Sequence, residues 1–403
     1  MGQFLPPVKA DEQWENDPEG SQPRANVTYE SIGAWYRTMA SAGFTDLSYY
    51  NVNEYGINVV LPPLPPPAAS PVPAPSALPA VDAAYIARLF ARVAPGAGPV
   101  TCPTSWPNAS ACMDEAFPDA VVRRSWDERG GRVATSAYYS WQNAVVVDPG
   151  AESYHAFMLE QLARHIVYED AFGGFICDRS DWMDVSSLQR DDGLTFVEEA
   201  ANATGSGVGA SLKVSYSRMT ADLRAVLDAG PAALAALRAT LEPAAAARLS
   251  SGMNGQGVMM MNVIGNARLD QFRPYDGVFA EGSAVNAVGL LGIMSPAILW
   301  TYDSNECCRS SEWADMYFQQ HLVMGVMPML PFPGNDHAIG FDAAAAAYYV
   351  RYGPMMEAVA PKVWALFPHI LSLVNVSGTT TYAKANAFLV PLGAADVALL
   401  FPV

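Results

Sequence analysis

The chain has 403 residues, 51% of them hydrophobic, and a formal net charge of −17. That length suits one large barrel with an appendage or two medium domains, and that apolar fraction excludes wholesale disorder. The acidic surface repels phosphate backbones and anionic headgroups, so nucleic acid is excluded as an expected partner; no apolar run reaches the roughly 18 residues that cross a bilayer, so no membrane insertion is expected.

Eight short apolar runs, each closing on polar residues, organise the chain. Gln3-Phe4-Leu5 is the first and Thr45 to Tyr50 the second, followed by Asn51, Asn53 and Glu54. Val145-Val146-Val147 ends in Asp148, and Gly174 to Cys177 ends in the dense cluster Asp178-Arg179-Ser180-Asp181-Trp182. The remaining four are Val258 to Met261 before Asn262 and Asn266, Gly277 to Ala280 before Glu281, Ala297 to Trp300 before Asp303, and Val326 to Leu330 before His337. Unbroken apolar runs without alternation indicate strands covered on both faces, as in a parallel sheet.

Helical patterns separate most of these runs. Thr28–Ala42 carries Ile32, Trp35, Tyr36 and Met39, and Ser153–Tyr168 places Tyr154, Met158, Leu162 and Ile166 on one stripe. Leu212–Leu227, Glu312–Met324 and Phe341–Val359 read similarly, and the alanine-rich 232–249 reads as helical padding. The expected fold class is therefore α/β: a (β/α)8 TIM barrel over 1–60 and 136–370, with the active site at the carboxyl ends of its strands. An irregular insertion is expected at 61–135. It begins with a proline-rich stretch at 61–80, expected to lack regular structure, then a short helix near Asp82–Val93 and a loop bracketed by Cys102 and Cys112. Residues 371–403 read as the start of a C-terminal β-domain, with strand-like runs at 379–382, 387–390 and 397–400. The clipped first strand and the early end of that β-region lead to the expectation of a fragment missing both ends.

The N-terminus lacks the basic and apolar regions of a signal peptide. Four sequons, at Asn26, Asn108, Asn202 and Asn375, and the Cys102–Cys112 spacing favour a secretory or extracellular history and a glycoprotein. No dinucleotide-type glycine turn and no zinc-ligand spacing occur, so no cofactor and no metal are expected.

The chemistry follows from what stands at the strand ends. Glycoside cleavage needs two carboxyl groups across the scissile bond, one to protonate the leaving oxygen and one to attack the anomeric carbon or activate water. Asp178 and Glu281 close strands four and six and are the expected catalytic pair. Burying Glu281 after an apolar strand without a function would be costly. Asp148, Arg179, Asp181, Trp182, Asn262, Asn266 and Asp303 are the expected substrate-binding residues: Trp182 offers a flat apolar face to a sugar ring, and the others offer directional hydrogen bonds. Asp148 has a turn-forming reading beside this one, Asp303 is the reserve acid, His337 reads as a loop histidine, and Met259-Met260-Met261 and Cys177 read as core.

On these residues the chain resembles the (β/α)8 glycoside hydrolases of the α-galactosidase-like clan, over 1–60 and 136–370. The resemblance implies that Asp178, in Gly174-Phe175-Ile176-Cys177-Asp178, is the nucleophile. It further implies that Glu281, in Tyr275-Asp276-Gly277-Val278-Phe279-Ala280-Glu281, is the general acid/base. Two positions depart from that clan: Ile176 stands where many members carry Lys, and Glu281 where the acid/base is usually Asp. The expected function is a retaining glycosidase or transglycosidase acting on an oligo- or polysaccharide; the alternative is a barrel that binds carbohydrate without cleaving it. The scarcity of His at strand ends speaks against a metal-dependent hydrolase.

Overall fold

The structure, a computed structural model, describes residues 4–5, 33–34, 36–37, 40–41, 45–55, 78–95, 117, 119–122, 145–178, 185–187, 190–196, 208–262, 273–281, 297–300, 315, 318–319, 321–323, 325–328, 343–359, 363–364, 388–391 and 397–400. In chain order its strands are β1 (Phe4–Leu5), β2 (Thr45–Asp46), β3 (Ser48–Asn51), β4 (Glu54–Tyr55), β5 (Val145–Val146) and β6 (Gly174–Asp178). Then come β7 (Ser186–Ser187), β8 (Thr195–Phe196), β9 (Val208–Ser211), β10 (Val258–Asn262), β11 (Gly277–Glu281), β12 (Ala297–Trp300) and β13 (Met327–Pro328). β14 (Val363–Trp364), β15 (Phe388–Pro391) and β16 (Val397–Leu400) end the series. The helices described over their whole length are α1 (Ala83–Arg92), α2 (Glu152–Tyr168), α3 (Leu212–Thr240), α4 (Pro243–Ala246) and α5 (Ala343–Val359), and further helical residues stand at 33–34, 36–37, 40–41, 315, 318–319 and 321–323.

Six strands form one sheet in the order β13-β12-β11-β10-β6-β3, and every ladder in it is parallel. β1 pairs in parallel with β2, the opening of the run that continues into β3. Spatial order thus follows chain order along the six-stranded sheet. Among the described residues no ladder joins β13 to β1.

The sheet is covered on both sides. Phe175, Cys177, Met259, Met261 and Val278 enter the main apolar core, with Tyr154, Met158, Leu162 and Ile166 of α2 and Met219, Leu223 and Val226 of α3. Ile176 and Met260, which alternate with them, are also buried but lie outside that cluster. Successive strand residues point to opposite faces, so the first set marks the helix face and the second the opposite face. The expected helical stripe of α2 is buried along its whole length. α3 runs through Pro231 as one helix of 29 residues, joining what the sequence reads as two segments. Packing against α2 and α1 outweighs the hydrogen bond lost at the proline.

Two expectations are corrected. The run 144–148 is not the third parallel strand, because β3 pairs directly with β6. Instead β5 pairs antiparallel with β4, Val147 bridges Val121, and Val122 N–H donates to the Val146 carbonyl at 2.9 Å. A run of valines satisfies its backbone equally well in either direction, so its apolarity identified a strand but not its partner. The described part of the expected irregular insertion, 78–95, 117 and 119–122, also packs into the main core. α1, capped by the Asp82 carboxylate accepting from Tyr85 N–H at 2.7 Å, puts Ile86, Leu89, Phe90 and Val93 into the main core. Phe117, Ala120 and Val121 join it there. The proline-rich 61–77 and the Cys102–Cys112 loop lie outside the described residues. At the C-terminal end, β14-β15-β16 form an antiparallel three-stranded sheet that begins before the expected boundary at 371. No helix of the described residues is long and apolar enough to cross a membrane.

Candidate functional site

The carboxyl ends of β6 and β10 are set by their glycine start and their register. Gly174 opens β6 at φ +121°, a backbone conformation that L side chains rarely adopt, and a Cβ there would run into the Val258 backbone. That close approach aligns Phe175 with Met259, Ile176 with Met260 and Cys177 with Met261. On the other flank Asn51 pairs with Asp178, and Asn262 pairs with Phe279 of β11. Positions 51, 178 and 262 therefore stand at one level at the carboxyl end of the sheet.

Alternation then sorts positions by face. Cys177 is a buried thiol on the helix face, against the Tyr275 hydroxyl, which lies 2.7 Å from that of Tyr216. Burial pushes the Tyr275 hydroxyl well above the usual phenol range, with Cys177 and Tyr216 adding to the shift. The strand positions on either side of Cys177, 176 and 178, belong to the face opposite the helices, as does 262 after Met260. On β11, Val278 is on the helix face, so positions 279 and 281 have the opposite parity. The backbone thus puts the two acidic positions, 178 and 281, on the same face with one strand between them. Asn262, on that intervening strand, is fully buried.

Asp148 belongs elsewhere. It follows β5, is fully buried, and accepts from Arg190 Nε at 2.8 Å and Nη2 at 3.2 Å. Its Oδ1 also accepts from Gly150 N–H at 2.9 Å. The same guanidinium donates to Ser215 Oγ on α3. Gly150 is confined to glycine because a Cβ there would lie 2.6 Å from Ser215 Oγ and 2.7 Å from Arg190 Cζ. The carboxylate that sequence reading assigned to substrate is the centre of a buried tie between β5, the 190–196 segment and α3. Arg190 and Ser215 escaped sequence reading because neither sits at a strand end. The only available signal was the charge cluster Arg190-Asp191-Asp192.

A second tie lies below it. His155 of α2 presents its ring nitrogens to the Pro149 carbonyl at 2.9 Å and to the Asp222 carboxylate of α3 at 3.1 Å. Arg218 donates to the same Asp222 oxygen at 2.8 Å. At the opposite end of the sheet Asp276 accepts from Met259 N–H at 2.9 Å and from Arg224 at 2.7 Å. The first ties α3 to α2, and the second ties α3 to the sheet.

Among the expected site residues, Arg179, Asp181, Trp182, Asn266 and Asp303 lie outside the described residues, as does His337. Among the described residues no group of three His, Cys, Asp or Glu side chains is arranged to hold a metal ion. No family model, no curated protein and no solved structure matches this chain.

Proposed function

We propose that the chain is a (β/α)8-barrel glycoside hydrolase or transglycosidase that acts on an oligo- or polysaccharide with retention of configuration. Asp178 is the nucleophile and Glu281 the general acid/base. The observation that carries this reading is the parallel register of β6, β10 and β11, which gives positions 178 and 281 the same face at the carboxyl end. Two strand spacings and a two-residue offset along the strands separate their backbones by about 12 Å, and in this reading barrel closure and the reach of the two side chains bring the carboxyl groups toward the roughly 5–5.5 Å of retaining enzymes.

In this mechanism Glu281 protonates the glycosidic oxygen while Asp178 attacks the anomeric carbon, giving a glycosyl ester and the free leaving group. Glu281, now a carboxylate, takes a proton from an incoming water or sugar hydroxyl, which attacks the same carbon and releases Asp178. Arg179, Asp181, Trp182, Asn266 and Asp303 surround the sugar in this reading. Asn262 stands on the strand between the two acidic positions and on their face, and Asp148 supports the framework.

The test is a pair of shape-preserving variants, Asp178→Asn and Glu281→Gln, assayed on activated aryl glycosides with and without azide. Both lose turnover of unactivated substrate. Azide restores reaction in Asp178→Asn with inversion and in Glu281→Gln with retention. Products of one configuration from both variants, or full activity in either, would overturn the assignment.

A further inference from the structure

We propose that the β8 hairpin is an outer carbohydrate-binding platform on which Leu194 and Phe196 stack a sugar ring several units from the bond being cleaved. The inference rests on the proposed glycoside-processing role of the same carboxyl end and goes beyond it. It adds a subsite that no strand-end residue supplies, and it makes long chains the preferred substrate.

The hairpin stands on the right side of the sheet. β6 ends at position 178, and the next described residues lead into β7, which pairs with β9; β9 passes directly into α3. α3 returns the chain to the start of β10, the neighbour of β6. In such a βα unit the helix begins at the carboxyl end of the preceding strand. The β7-β9-β8 sheet therefore lies at the carboxyl end of β6, where the proposed nucleophile stands.

Leu194 and Phe196 are 79% and 74% exposed, whereas most large apolar side chains of the described residues are buried. Thr195 between them is turned the other way, donating from Oγ1 to Asp192 Oδ2 at 2.7 Å. With Thr195 bonded to Asp192, Leu194, in the bend that precedes β8, and Phe196 of β8 are both left facing solvent. The base beneath them is pinned. The Asp192 carboxylate also accepts from Leu194 N–H at 2.9 Å, Thr195 N–H at 2.7 Å and Ser211 N–H at 3.0 Å. Arg190, two residues earlier, is locked to Asp148. A rigid, exposed apolar pair is pre-organised for a ligand.

Size selects the occupant. The two side chains offer roughly 300 Å², whereas a stable protein interface covers roughly 800 Å² on each partner. A pyranose ring presents an apolar face of C–H groups that fits one aromatic and one branched aliphatic side chain, leaving its hydroxyls in water.

The experiment compares the full chain with Leu194→Ser, Phe196→Ser and the double variant. The probes are aryl monoglycosides and matched oligosaccharides of one to six units, with binding of the same oligosaccharides followed by calorimetry. The platform predicts that KM and Kd for the longest oligosaccharides rise about tenfold in Phe196→Ser. kcat/KM for the aryl monoglycoside stays within about twofold, and thermal stability is unchanged, as for exposed substitutions generally. If no glycoside is turned over but oligosaccharide binding is lost in the variant, the platform stands and the hydrolase reading falls. If turnover is present and the chain-length dependence is the same in the variant, the platform falls and the hydrolase reading stands. A wild-type dimer that Phe196→Ser converts to monomer also overturns the platform.

Discussion

The Asp148–Arg190 tie gives a prediction with a magnitude. Asp148→Asn leaves the Arg190 guanidinium, which is 10% exposed, without its counter-charge; Arg190→Met leaves the fully buried Asp148 carboxylate with only the Gly150 N–H among its present donors. Removing one partner of a buried ion pair costs about 3–5 kcal/mol, because the other charge stays desolvated. At about 2 °C per kcal/mol for a large chain, each single variant should lose about 6–10 °C in Tm. The double variant buries no charge and keeps the Gly150 cap through the Asn oxygen, so its cost should fall short of the sum by at least about 2 kcal/mol. Urea unfolding of the four proteins at constant m measures this coupling. Activity separates the two readings of Asp148: with the carboxylate engaged by Arg190, folded Asp148→Asn should keep turnover within a few-fold. An additive cycle, or loss of turnover with unchanged Tm, would refute the framework role and return Asp148 to the substrate.

Three further outcomes follow from the geometry. Gly174→Ala should cost about 1–3 kcal/mol for its positive φ alone, and more for the collision with the Val258 backbone; turnover should fall with stability because the β6–β10 register is disturbed. Phe90→Ala should cost about 3–5 kcal/mol in urea unfolding, and a cost below about 0.5 kcal/mol would show that α1 is an appendage rather than core. Burial alone would raise Asp192, but the hydrogen bonds from Thr195 Oγ1 and the backbone N–H groups of Ser211, Leu194 and Thr195 outweigh it and hold the carboxyl below the usual range. Its stabilisation is therefore full above the unfolded value of about 3.9 and is lost as pH falls through the lower folded value. Protection of the Ser211 and Thr195 amides, taken relative to free-amide exchange at the same pH, should hold at pH 4 and fall toward pH 2, and Asp192→Asn should remove that fall.

The parallel strands were legible because runs such as Val258–Met261 and Gly174–Cys177 are apolar at every position, and only a strand covered on both faces needs that. The stripe of α2 was legible for the complementary reason, a period of 3.6 with Tyr154, Met158, Leu162 and Ile166 in step. Valines 145–147 failed as a guide to topology because apolarity carries no direction; their partners, Val121 and Glu54–Tyr55, are chosen by tertiary packing. The core role of α1 was hidden by its proline-rich neighbourhood, although Ile86, Leu89 and Phe90 have helical spacing. At the site, the acidic strand ends could be read directly from the sequence. The Arg190 partnership of Asp148 could not, since it depends on a contact 42 residues away. The outward pair Leu194 and Phe196 was equally hidden, because only the inward turn of Thr195 separates an exposed apolar platform from ordinary core.

The most direct measurement is peptide mass mapping of Glu281→Gln after reaction with an activated aryl glycoside. Its leaving group departs without protonation, while the second step, which needs a base, stalls. The account predicts a mass increase of one glycosyl unit on the peptide containing Gly174–Asp178, removed by azide. A label on a peptide carrying Asp148 or Asp303, or release of the aryl group with no labelled peptide, would contradict Asp178 as the nucleophile.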